Sequence, residues 1–179
     1  MKLTKKTCAM LGLALTATLT GFSPIQAEAS ASANPQNRTF ELRDNCEPVS
    51  WNAEFPGICN KADGEVTLAK FRAALPTGGS GAWWIHWRER TINAGDTVAA
   101  TNVGGIVHTF TEVSQFGKGC IPEWNTAVHE TVDNCDFGRF LATAVFPGTV
   151  STPQTLSVGA HKFQCLVHPW MRTTVTVQR

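Results

Sequence analysis

The sequence predicts an all-β domain, a small barrel or sandwich, preceded by an N-terminal extension that carries a short helix. Three observations lead there. From Ala82 onward, short runs rich in β-branched and aromatic residues recur at close spacing between turn signals. The cluster Gly78-Gly79-Ser80-Gly81 separates that region from what precedes it. Before it, Thr67 to Leu75 has helical periodicity, with Leu68, Phe71 and Leu75 on one face and Thr67 placed to cap the first turn.

The elements follow in order. Lys2, Lys5 and Lys6 precede an apolar run from Cys8 to Phe22, and small residues near Ala27 and Ala29 supply cleavage points. Residues 1–27 therefore read as a secretory signal peptide. The apolar run is shorter than the roughly 20 residues a membrane span needs, so the mature chain is expected to have no span. Cys8 opens the run and does not follow it, which argues against a lipid-attachment cysteine. Residues 28–81 form the extension: a small, polar leader to about Arg38, a loop bounded by Cys46 and Cys59, and the Thr67–Leu75 helix. Residues 82–179 form the β domain. Its expected strands are Trp84–Asn93, Thr97–Asn102, His108–Val113, Phe140–Phe146, Leu156–Cys165 and Arg172–Val177. An excursion over roughly Ser114–Gly138 interrupts them.

Removing the signal leaves roughly 150 residues, enough for one domain with a substantial core. The chain has 15 basic and 14 acidic residues, and three of the lysines lie in the signal. The remainder is slightly acidic and lacks a concentrated basic face, which excludes nucleic acid as the expected partner.

Cysteine usage says more. Beyond the signal stand Cys46, Cys59, Cys120, Cys135 and Cys165, an odd number for an oxidising compartment. Four cysteines allow three pairings. The local ones, Cys46 with Cys59 and Cys120 with Cys135, close short loops and are the expected set, each worth about 3 kcal/mol through the unfolded chain. Cys165 is then left over.

That spare thiol opens the run Cys165-Leu166-Val167-His168-Pro169-Trp170-Met171. A thiolate, an imidazole and a thioether fall within one tight loop between two strand-like segments. Sulfur donors favour Cu(I), imidazole suits both copper states, and a His₂Cys plane with a weak axial Met defines the blue-copper site. The second imidazole must come from elsewhere. His108, just after the Gly104-Gly105 break, is the best placed; His86, His129 and His161 are its rivals. His86 among its tryptophans reads as a partly buried strand residue, His129 as surface, and His161 as packed beneath the site.

The Cys-x₂-His-x₂-Met loop resembles the ligand loop of the cupredoxins, and its spacing, with proline after the histidine, is similar to that of amicyanin. The stretch from Ile92 through Asn102 to His108-Thr109-Phe110 resembles the segment leading to that family's first histidine. The resemblance covers roughly residues 84–179. It implies a cupredoxin-like Greek-key barrel or sandwich and one type 1 copper per chain, held by His108, Cys165, His168 and Met171. It also implies Thr109 as a hydrogen-bonding neighbour of the Cys165 sulfur. Two positions depart from the family pattern. Thr173 replaces a glycine usual after the methionine, which would alter the turn there. His161 replaces an aromatic residue usual before the cysteine, which would bring a polar group near the site.

The expected function is a secreted or periplasmic electron carrier working between redox protein partners, with no enzymatic chemistry of its own. Trp170 would then frame an exposed edge of His168 and help such partners dock. Copper delivery, storage or sensing is the alternative. Those roles favour Met-rich or multi-Cys sites, whereas the chain has three methionines including Met1 and Met10. Multicopper oxidase chemistry would need His-x-His pairs, and the chain has none.

Overall fold

The computed structural model describes residues 34–130 and 135–179; the expected signal peptide and the start of the leader lie outside the described residues. Two four-stranded sheets pack face to face. The first contains β1 (Asn37–Arg43), β2 (Trp84–Ile85), β4 (Thr97–Asn102) and β8 (Gln154–Thr155), in the order β2-β1-β4-β8. The second contains β3 (Glu89–Asn93), β6 (Thr111–Val113), β9 (Gly159–Gln164) and β10 (Arg172–Gln178), in the order β3-β10-β9-β6. A small ladder joins β5 (His108–Thr109) to β7 (Ala144–Val145). β1 runs parallel to β4 and β3 parallel to β10; the other pairs within the two sheets are antiparallel. This is an all-β sandwich of two sheets with short helices added, the fold class the sequence predicts.

Alternation explains the two long strands β1 and β10, each flanked on both sides within its sheet. In β10, Thr173, Val175 and Val177 point inward, and in β1 Phe40 and Leu42 do. Phe110 bridges the layers, stacking on Phe163 at 4.4 Å and meeting Phe40 at 5.5 Å. Central β4 encloses Ala99 as well as Val98 and Ala100.

Two expected strands are broken, each where the chain passes from one hydrogen-bonded ladder to another. Trp84–Asn93 divides into β2 and β3, with Trp87 at a φ of 71° between them. His108–Val113 divides at Phe110, whereas Leu156–Cys165 is strand only over β9, with β8 ending just ahead of it. A run of β-forming residues looks continuous along the sequence, whereas a sandwich must turn corners. The other correction is Phe140–Phe146. Its first residues belong to helix α4 (Phe137–Thr143), started by the Asp136 side chain accepting from Arg139 N–H at 3.1 Å, and only Ala144–Val145 is strand.

The extension is built into the fold. Strand β1 begins inside the stretch read as leader, and Gln36 and Arg38 bond to the Asp96 carboxylate. Helix α1 (Pro48–Glu54) is capped by Glu47, and α2 (Leu68–Ala74) by Thr67, with Leu68, Phe71 and Leu75 buried as expected. The excursion adds α3 (Pro122–Ala127). Cys46–Cys59 and Cys120–Cys135 are disulfides, and Cys165 is free and buried.

Candidate metal centre

β5 delivers His108 and the end of β9 delivers Cys165. The loop between β9 and β10 then turns back within seven residues: Cys165 N–H donates to Met171 O at 3.0 Å, and Met171 N–H to His168 O at 2.9 Å. His108, Cys165 and His168 meet at one buried point, with their donor atoms all within 4.8 Å of one another. Sγ of Cys165 lies 3.7 Å from His108 Nδ1 and 3.6 Å from His168 Nδ1. Donors about 2.0–2.3 Å from one ion and about 120° apart stand roughly 3.5–3.8 Å from each other. Soft sulfur with two imidazole nitrogens at this spacing fits a first-row transition metal. Met171 is fully enclosed in the same loop.

The backbone holds the sulfur as well. Thr109 N–H approaches Cys165 Sγ at 3.4 Å, and Thr109 Oγ1 accepts from Leu166 N–H at 2.8 Å. Thr111 Oγ1 donates to Thr109 Oγ1 at 2.9 Å and fixes that hydroxyl. The turn before His108 is pinned by buried Asn102, whose amide donates to Ile106 O and Val145 O and whose oxygen accepts from Gly104 N–H.

Electrostatics make the thiol acidic. Burial alone would push Cys165 up, but the two imidazoles hold it well below the ordinary thiol range. Burial lowers His168. For His108, burial acts downward too, but Asp44 and Cys165 outweigh it and raise the ring to about 9. Asp44 was not legible as a site residue. Its Oδ2 lies 2.9 Å from His108 Nε2, and both side chains are fully enclosed. Burial would raise this carboxyl, but His108 and the N–H groups of Gly105 and Ile106 hold it down at about 2.

His168 is treated differently. It has no exposed edge, which corrects the expected role of Trp170, and its Nε2 has no hydrogen-bond partner. Aromatic rings surround it: Trp124 stacks on it at 5.0 Å, and Trp170 meets it edge-on at 5.4 Å. Phe71 and Trp83 stand behind at 6.1 and 6.2 Å. Trp170 N–H donates to Ser80 O at 3.2 Å. Gly79, at a φ of 100°, permits this, because a Cβ there would lie 2.3 Å from the indole.

The other histidines stand apart. His86 lies in the bend after β2, between Trp84 and Trp87, and is not a strand residue. His129 is exposed, as expected. His161 does not pack beneath the site; its Nδ1 bonds Glu112 at 2.6 Å and its Nε2 lies 2.8 Å from Ser157 O. Thr173 leaves the loop intact and donates to Trp87 O at 2.6 Å, fastening the corner between β2 and β3.

No protein-family model matches the sequence, and no curated protein matches it. Solved structures with a similar chain path include a purple cupredoxin from Nitrosopumilus maritimus, 16% identical over 78% of this chain and 98% of that one, with a TM-score of 0.42. A reduced amicyanin with a proline-to-phenylalanine substitution is 18% identical over 51% and 70% of the two chains, with a TM-score of 0.33. A Cu(I) amicyanin with a methionine-to-alanine substitution is 17% identical over 53% and 73%, with a TM-score of 0.34. Among the described residues, no helix is long and apolar enough to cross a membrane.

Proposed function

We propose that the chain is a secreted or periplasmic blue copper protein that carries single electrons between redox protein partners and performs no bond-making chemistry. His108, Cys165 and His168 would hold one copper ion, with Met171 as the weak fourth ligand. The observation that supports this most is the pair of Nδ1 atoms facing one unpaired, buried sulfur at 3.7 and 3.6 Å. Copper would supply one-electron redox chemistry by alternating between Cu(I) and Cu(II).

The chain's own part is to keep the donors still. Disulfides, the Thr109 network and the aromatic packing limit rearrangement of the ligands, which suits a carrier whose two states must share one geometry. Two disulfides also agree with an exported protein.

Adding Cu(II) to the purified protein should give an intense visible sulfur-to-copper band and a paramagnetic resonance signal with narrow copper hyperfine splitting. Cys165→Ser should abolish the band. A colourless, folded wild type in Cu(II) overturns the reading, and exclusive uptake of Cu(I) would favour delivery.

A further inference from the structure

We propose that Asp44 is a positioning residue of the metal centre, fixing the orientation of His108 and keeping a negative charge against its ring that favours the oxidised state of the bound ion. The inference rests on the copper reading for its redox part and on geometry alone for the rest.

Asp44 follows β1, 64 positions from His108 in the chain, yet the two side chains touch inside the fold with no exposed surface. The carboxylate is held from every side. Oδ2 accepts from Gly105 N–H at 2.9 Å and Ile106 N–H at 3.0 Å. Oδ1 accepts from Gly105 N–H at 3.0 Å and Cys46 N–H at 3.2 Å. Gly104 lets the acid come this close, because a Cβ there would lie 2.0 Å from Oδ2. Cys46, which supplies one of those donors, is itself tied to Cys59.

A role in shaping the Gly104–Ile106 turn accounts for the backbone bonds. It does not account for the imidazole. His108 turns Nδ1 toward Cys165 and Nε2 toward Asp44, so a ring that binds metal through Nδ1 must carry its proton on Nε2 and donate it to the carboxylate. A carboxylate behind a ligating histidine fixes the tautomer and raises ligand basicity, and losing such a partner typically costs 10–100-fold in metal affinity. In a dry interior the charge is weakly screened. Removing it therefore disfavours the more positive state of the centre.

The test compares wild type with Asp44→Asn, which keeps the shape and two lone pairs but removes the charge. Asp44→Asn should bind Co(II) 10–100-fold more weakly, followed by its sulfur-to-cobalt band. When copper-loaded, it should have a higher reduction potential than wild type. Equal Co(II) affinity and an unchanged potential overturn the proposal. If the variant does not fold, the zinc-loaded wild type decides: a ring nitrogen–proton correlation spectrum should show His108 with its proton on Nε2, shifted strongly downfield. A proton on Nδ1 overturns the inference. Cobalt affinity and ring tautomer do not involve copper, so a wild type that fails to form a blue site sinks the proposed function and leaves this inference to its own result.

Discussion

The two imidazoles of the centre are held by opposite means. His108 comes from a strand and is fixed by hydrogen bonding, its Nε2 facing a carboxylate that three backbone N–H groups support. His168 comes from a loop and is fixed by packing, its Nε2 without a partner beneath Trp124 and Trp170. Hydrogen bonds set direction and charge, whereas aromatic contact sets position and keeps water out. The first arrangement can tune a bound ion; the second isolates it and places indole rings between it and the surface. An unsatisfied buried donor costs about 1–3 kcal/mol, which the aromatic packing around His168 must offset.

The largest effect that separates the two sides should come from Asp44→Ala. It leaves the His108 ring and three backbone N–H groups facing a void, and removing one partner of a buried pair costs about 3–5 kcal/mol. Urea unfolding of the metal-free protein near neutral pH checks this. The acid dependence has a definite sign. The Asp44 carboxyl lies at about 2 in the fold against an ordinary 3.8, so its contribution is full above 3.8 and is lost as pH falls toward 2. That difference corresponds to about 2 kcal/mol. The His108 ring, raised to about 9 from 6.5, contributes fully below 6.5 and loses its contribution as pH rises through 9. The gap between wild type and Asp44→Ala should therefore be widest between these limits. A constant gap from pH 2 to pH 9 would show that the pair contributes by shape alone.

Trp170→Ala tests the other side and should have a smaller effect, about 2 kcal/mol, because the indole is only half-buried. Its sharper consequence is local. Opening the cover lets water reach His168 Nε2, so the ring, now held low by burial, should titrate closer to an ordinary histidine in the metal-free protein. His108 should not move. Trp170→Phe should lose only the bond to Ser80 O, about 1 kcal/mol, and leave His168 low. A His168 titration unchanged in Trp170→Ala would mean that Trp124 alone excludes water.

The same contrast explains what could be read in advance. Cys165 and His168 share one loop, so their spacing puts them together, and the Gly104-Gly105 break marks His108, which the fold brings to the same point. Asp44 carries no such signal: nothing in Asp44-Asn45-Cys46 says which ring will lie against it after β1 and β4 pair. The cover over His168 draws on Phe71, Trp83, Trp124 and Trp170 from separate segments, and aromatic residues look alike wherever they pack. Strand β1 was hidden because Asn37 and Arg38 continue a polar leader, and its partner β4 lies 60 residues on in register. Helix α4 carries no helical signal in the sequence because Phe137 and Leu141 face outward, so its apolar residues do not mark a buried face. The corners at Trp87 and Phe110 follow from the two-sheet architecture and leave no mark in local composition.

His161 supplies the control for the His108 side, since it too pairs with a carboxylate but near the surface. Its bond to Glu112 raises the ring above its ordinary value, against a smaller opposing effect of burial. The contribution is therefore present below the ordinary histidine range and lost as pH rises through the folded value, on the alkaline side only. Glu112 is about half-exposed, at 46%, and solvent screens the pair, so Glu112→Gln should cost no more than about 1 kcal/mol. Proton resonance should follow the His161 ring titrating at lower pH in that variant, with His108 and the Co(II) affinity unchanged. If Glu112→Gln were as costly as Asp44→Ala, burial would not be what separates a histidine that tunes a metal from one that trims a strand.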